Sequence, residues 1–339
     1  MMVWKKFYGL SDYWDEALTY SEDYNVFQSY VWGEFKKTTG WVPERWIASD
    51  KNGDIICMVQ ILIKSFPAGF KIGWATGGPV FISKNSSTKD FDNMLSGLAE
   101  TVCKNNSAIV TRFNSQLCYD QLASYTFNKY FKRPFFRLNS GYSLLFDLTL
   151  SVKELLNNMT SKHRYYVRKA VEKNVVWREG NDEKFVMEFY KLYEDMLKEK
   201  DIKSLILSKE DIASLVFSLD KNVVIFTGDF DGLPVTSCIV LTFKKKAFYY
   251  MAATNKRGRE IMGSYAMVYR LFEYLKEKGI TDLDLGGIDP VSSDARGVNH
   301  FKKGFGGRMV EYLGEWELAS SEWIRWAVNI AIRLKRGQL

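Results

Sequence analysis

A chain of 339 residues is long enough for about two domains, each with a core of its own. Its 46% apolar and 26% charged residues are those of a folded globular protein, and the net charge of +7 is weaker than the concentrated excess of a dedicated nucleic-acid binder, while leaving room for an anionic partner. Four scattered cysteines (Cys57, Cys103, Cys118, Cys238) form no CxxC or Cys/His pattern, which argues against structural zinc or a disulfide framework and for a reducing compartment.

The N-terminal MMVWKKFYGLSDYW lacks the apolar core of a signal peptide, and no run of about 18 apolar residues occurs, so a cytoplasmic protein without a spanning segment is expected. Trp46–Ala75 reads as strand, Asn52-Gly53 turn, long apolar strand and a further strand, since Asn-Gly accepts φ > 0 at both central residues. A Gly77-Gly78-Pro79 turn follows, fixing a sharp bend. Ser151–Asn174 reads as one helix, apolar first and basic later, then comes a short strand at Val175–Arg178. Asp182–Lys200 sets Phe185, Phe189, Leu192, Tyr193 and Met196 on one helical face. Val224–Ala253 repeats the three-strand pattern around Asp231-Gly232, about half a chain from the first, and is read as an internal duplication. A helix over Ser264–Lys278 has Ser264 as its expected N-cap and Gly279 as its stop. The strand Thr281–Leu285, a break at Gly286-Gly287, a polar loop, then Phe301-Lys302-Lys303 with the Phe305-Gly306-Gly307 turn and a last strand Met309–Trp316 complete the order. This is a mixed α/β (α+β) chain whose second half has the element order of the GNAT acyltransferase fold.

Three separated stretches, QSYVWGEFKKTTGWVPERW (Gln28–Trp46), WATGGPVF (Trp74–Phe81) and FKKGFGGRMVEYLGEWEL (Phe301–Leu318), resemble the FemABX family. The resemblance implies two tandem GNAT-like domains, here 1–148 and 149–318, with a terminal helix at 319–339 packing back on the first. It also implies an aminoacyltransferase that extends the stem peptide of a peptidoglycan precursor, UDP-linked or lipid-linked. Aminoacyl-tRNA would be the co-substrate, with no metal and no other cofactor. No long heptad segment is present, so this is the compact form without a coiled-coil arm.

The same resemblance places Lys302 at the acyl-transfer site, where a fixed cation meets the negative charge that builds on the carbonyl and leaving oxygens. Phe301 would stack on the acceptor end of the RNA. Lys36, on a helix with Trp32 and Phe35, is aligned with a contact to the precursor's diphosphate, Tyr250 with a substrate-contacting tyrosine, and Gly78 with the bend beside the substrate groove. Lys162, Arg164 and Arg168, with His163 among them, load one helix with cations that suit tRNA phosphates or merely face solvent. The family's second phosphate position is an arginine near the end of the Asp182–Lys200 helix, where this sequence has Lys200 and Lys203. His163 and Asp289 are candidate bases, but none is assigned, because amine attack on an activated ester needs little more than solvent deprotonation. The tail, 321–336, carries a stripe of Trp323, Ala327, Ile330 and Leu334 with Arg325, Arg333, Lys335 and Arg336, suited to a membrane surface or to docking on the first domain. Two other readings stay open. One is an acyl-CoA or acyl-carrier N-acyltransferase acting on an amino sugar, although Lys256–Ser264 lacks the glycine spacing of a pyrophosphate loop. The other is an inert duplicate that binds RNA or membrane.

Overall fold

The computed structural model describes residues 3–82, 88–105, 108–201 and 207–337. Its strands, in chain order, are β1 (Val3–Lys6), β2 (Val42–Ser49), β3 (Ile55–Ser65), β4 (Lys71–Thr76), β5 (Val80–Phe81), β6 (Val110–Cys118), β7 (Tyr142–Asp147), β8 (Val176–Gly180), β9 (Val223–Phe230), β10 (Leu233–Phe243), β11 (Lys246–Thr254), β12 (Asp282–Ile288) and β13 (Arg308–Ala319).

Two compact units result. One comprises the chain up to Gly141 together with the segment from Glu311 onward; the other is Tyr142–Val310. In the first, the strands lie in the order β1-β2-β3-β4-β6-β13, with β5 beside β3. In the second they lie in the order β8-β9-β10-β11-β12-β7. Each sheet has three antiparallel pairings, then one parallel pairing (β4 with β6, β11 with β12), then one more antiparallel pairing. The last strand of each sheet comes from the other half of the chain. This is why the division falls at 141/142 and 310/311, where the sequence reading put it at 148 and 318.

Each unit has its own core. Trp46, Ile61, Phe113, Phe127 and Trp316 are among the buried residues of the first, and Phe146, Val240, Leu271, Phe272 and Phe305 among those of the second. The helix Glu183–Glu199 is capped by Asp182 and buries Phe185, Phe189, Leu192 and Tyr193, as its apolar spacing requires. The expected long helix at Ser151–Asn174 is instead two, Val152–Asn158 and Ser161–Val171. Met159 and Thr160 adopt extended backbone between them, and the Thr160 side chain caps the second. Gly263–Glu277 starts after Met262, which sits in left-handed backbone, and not at Ser264. The Asp231-Gly232 hairpin has positive φ at both turn residues, as expected. The Asn52-Gly53 connection does not: only Gly53 is left-handed, because Asp50 accepts from the amides of Asn52 and Asp54 and closes a longer loop. No helix among the described residues is long and apolar enough to cross a membrane.

Candidate active site

The two parallel pairings differ. β4 and β6 stay in register from Ile72 with Val110 to Thr76 with Asn114, and the Gly77 amide extends the pairing to the Asn114 carbonyl at 2.9 Å. β11 and β12 are in register only from Lys246 to Phe248 against Asp282 to Asp284, and then they part. Both strands are irregular where they separate. The β10–β11 register shifts so that Tyr250 is the extra residue between Tyr249 and Met251, and the β12–β7 register shifts between Asp284 and Gly287. Such bulges re-aim side chains and end pairing, and they favour functional sites.

Lys302 lies in this opening. The end of the stretch read as a polar loop, together with Phe301-Lys302-Lys303, is a helix, Arg296–Lys303, and the Gly286-Gly287 break lies inside β12. Lys302 Nζ donates to the Gly287 carbonyl at 3.0 Å. Gly286 has φ +83, and a Cβ there would stand 3.2 Å from both Lys302 Nζ and the Tyr249 carbonyl oxygen, so the lysine and β11 converge on one glycine. Burial pulls the Lys302 ammonium below the usual lysine range, and the Asp284 carboxylate opposes part of that shift. Asp284 in turn accepts from the Gly286 amide at 2.7 Å and from the buried Ser143 hydroxyl. Neither residue was singled out in the sequence; an aspartate before two glycines was the signal available. Burial pushes the Tyr250 phenol up, so it stays neutral at ordinary pH.

Phe301 is half-buried, with ring centroids 5.2 Å from Tyr265 and 5.1 Å from Phe305. Beneath it His163 is fully buried, its Nε2 2.9 Å from the Phe301 carbonyl oxygen and its Nδ1 2.9 Å from Thr160 Oγ1. A Cβ at Gly304 would come within 1.9 Å of this imidazole. His163 therefore anchors the helix that carries Lys302. Of the cations around it, Arg164 does not face outward: its guanidinium donates to the carbonyls of Asn157 and Met159 and to the Ser161 hydroxyl, closing the end of the preceding helix. That leaves Lys162, which lies over the Tyr166 ring, and Arg168 exposed on the same helix.

In the first unit, Trp32, Phe35 and Lys36 share the helix Tyr30–Thr38, with both rings buried and Lys36 Nζ 5.0 and 4.9 Å from their centroids. Gly33 lets this helix approach β3, since a Cβ would meet Gln60 Oε1 at 2.2 Å. Gly78 precedes a cis proline, and a Cβ there would strike the Gln28 side chain at 2.7 Å. Gln28 is fully buried and ties this turn to β3 through the Thr76 and Gln60 backbones. Gly78 is thus needed for close packing.

Lys200 is exposed just past the helix Glu183–Glu199; Lys203 lies outside the described residues. The sequence reading missed Arg259, which pairs with Glu199 at this helix end and donates to the Thr254 carbonyl at 2.6 Å. The Lys256–Ser264 stretch is a short helix, Lys256–Glu260, followed by a left-handed Met262. Gly258 is pressed against the Val235 carbonyl, so this is not an open glycine loop. Among the described residues no group of three His, Cys, Asp or Glu could hold a metal ion.

The FemAB family matches residues 209–332, which include β9 to β12, Lys302 and β13. The UDP-N-acetylmuramoylpentapeptide-lysine N(6)-alanyltransferase of Weissella viridescens is 24% identical over 295 residues, covering 83% of this chain and 85% of that one. The chain is similar to the FemABX family, over 209–332 in the family match and over most of its length in this relative. A second relative, the lipid II:glycine glycyltransferase of Staphylococcus aureus strain MRSA252, is 21% identical and covers 86% of this chain and 87% of its own. The crystal structure of FemX has the same fold, with a TM-score of 0.82 at 17% identity over 96% of this chain and 100% of that one. The chain accordingly has tandem GNAT-like architecture, and its two sheets of equal strand order are the two copies.

Proposed function

We propose that this enzyme transfers an amino acid from aminoacyl-tRNA to the stem-peptide amine of a peptidoglycan precursor. The observation that carries the reading is Lys302, half-buried and fixed at the Gly287 carbonyl where β11 and β12 part, within the segment that matches the FemAB family. The amine nitrogen attacks the ester carbonyl carbon and a C–N bond forms. The ester C–O bond then breaks, and the proton lost by the amine ends on the ribose oxygen that leaves. Negative charge appears first on the carbonyl oxygen and then on that leaving oxygen. An ammonium held in a partly dry site is worth far more against such charge than one in water.

The remaining roles follow from chemistry. Phe301 offers a face for the acceptor end of the tRNA, and Tyr250, re-aimed by its bulge, a contact to the substrate. Lys162, Arg168 and Lys200 supply cations for tRNA phosphates. Lys36, with its ammonium over Trp32 and Phe35, meets the diphosphate of the precursor, and the Gly78 turn shapes the ground beside it. The outward residues of the terminal helix, Trp323, Trp326 and Leu334, suit contact with the cytoplasmic face of a membrane carrying a lipid-linked precursor.

The test is incubation with a pooled, charged tRNA mixture and UDP-linked or lipid-linked precursor, read by mass. A gain of one amino-acid residue is expected, with Lys302→Ala lowering kcat by about 10²–10³-fold. A gain seen only with acyl-CoA and an amino sugar would overturn the reading.

A further inference from the structure

We propose that Asp284, held by Ser143, is the positioning residue of this site: it fixes the Gly286-Gly287 turn on which Lys302 is seated. The inference rests on the reading of Lys302 as the residue that meets the reaction's charge.

β12 has lost its parallel partner after Asp284, and its register with β7 slips before Gly287. The backbone of Leu285 and Gly286 is therefore held by something other than a continuous ladder. Asp284 Oδ1 takes the Gly286 amide at 2.7 Å, and the same oxygen takes the Ser143 hydroxyl from β7. With Gly286 held at φ +83, the next carbonyl, that of Gly287, points to Lys302 Nζ at 3.0 Å. One unbroken series thus runs from a buried serine through a carboxylate and a glycine turn to the ammonium. A Cβ at Gly286 would crowd both Lys302 Nζ and the Tyr249 carbonyl, so the turn has little room to adjust.

Asp284 also acts through its charge. Burial favours the neutral amine of Lys302, and the carboxylate favours the ammonium. The other titratable groups nearby are the Tyr249 and Tyr250 phenols on β11, both pushed up by burial and neutral over the working range, and His300 and Lys303 on the lysine's own helix. Asp284 therefore favours the charged form of this lysine against its burial.

Asp284→Asn keeps an acceptor oxygen but removes the charge, whereas Ser143→Ala removes one hydroxyl. In single-turnover transfer with charged tRNA and precursor, Asp284→Asn should lower the rate about 10- to 100-fold with KM for both substrates within about twofold. The alkaline limb of its pH–rate profile should move to lower pH, and Asp284→Glu should restore the limb. Ser143→Ala should give a smaller rate loss, again without a KM change, and it carries the test if the asparagine variant does not fold. NMR titration of protein labelled with 13Cε-lysine reads Lys302 independently of turnover, and the Lys302 signal should titrate at lower pH in Asp284→Asn than in the parent. Unchanged rate and profile in both variants, or a Lys302 titration unmoved by Asp284→Asn, would overturn the positioning role. A parent that titrates as described yet transfers nothing would instead overturn the proposed function.

Discussion

His163 has both ring nitrogens engaged, one at Thr160 and one at the Phe301 carbonyl, and it is enclosed by Tyr265, His300 and Phe305. Burial lowers its pKa below the usual 6.5, the Phe301 carbonyl opposes this, and His300 and Lys162 add to it. Between the folded value and 6.5 the unfolded chain binds a proton that the native chain does not, so stability rises with pH through that window. The contribution is complete above about pH 6.5 and is lost as pH falls towards the folded value. Thermal melts should show the parent losing stability below about pH 6.5, while His163→Gln is less stable at pH 8 and has a flatter slope across the window. Equal slopes would refute this role. In the sequence the residue stood among lysines and arginines, and nothing local marked it as interior, since the rings that enclose it lie far along the chain and the Phe301 carbonyl it meets is 138 residues away. Lys302 was singled out from the sequence because its motif is contiguous. Asp284 and Ser143 were not, because a strand serine 141 residues from its partner leaves no local pattern.

At the scale of elements, the terminal helix Glu322–Gly337 buries polar side chains and leaves large apolar ones exposed. Arg325 and Asn329 are buried, while Trp323, Trp326 and Leu334 are exposed. Beneath the helix, Arg112 pairs with Glu317 at 2.6 Å and Glu315 at 3.4 Å, Arg325 pairs with Glu317 at 2.9 Å, and Asn329 bonds to both Arg112 and Glu317. The sequence reading grouped Arg325 with Arg333, Lys335 and Arg336 as charges of the tail; it belongs to this interior network. Lys335 and Arg336 have side chains outside the described residues. Removing one member of a buried ionic group leaves uncompensated charge, so Arg325→Ala should cost about 3–5 kcal/mol in urea unfolding, against about 0.5 kcal/mol or less for Trp323→Ala. A small loss for Arg325→Ala would mean that water reaches the carboxylates. Apolar periodicity identified this helix and left both uses of its stripe open; the buried Arg325 and Asn329 were not foreseen, because hydropathy alone cannot register a polar interior. The break at Met159-Thr160 was missed for a related reason: a threonine cap within a basic run is weak beside the continuing helical pattern.

For the whole molecule, the duplicated strand order was legible because strands and tight turns are local, and the two hairpins occur in the same sequence of elements. The strand each half sends to the other sheet was not, since β7 and β13 look locally like any half-buried strand. The outward tryptophans give a prediction at this scale. Co-sedimentation with vesicles rich in anionic lipid should capture the protein, and Trp323→Ala with Trp326→Ala should weaken capture at least about tenfold, given the apolar area the two indoles would bury. Parent protein that stays in the supernatant would remove the membrane from the proposal. The strand assignment has another consequence. One unit is a single uninterrupted stretch, Tyr142–Val310, while the other is written in two pieces whose cut ends adjoin, the Tyr312 amide donating to the Gly141 carbonyl at 2.8 Å. In the grammar of the gene, the unit that carries Lys302 is a parenthesis set inside its sibling, and a single peptide bond after Gly141 would let the outer sentence be read straight through.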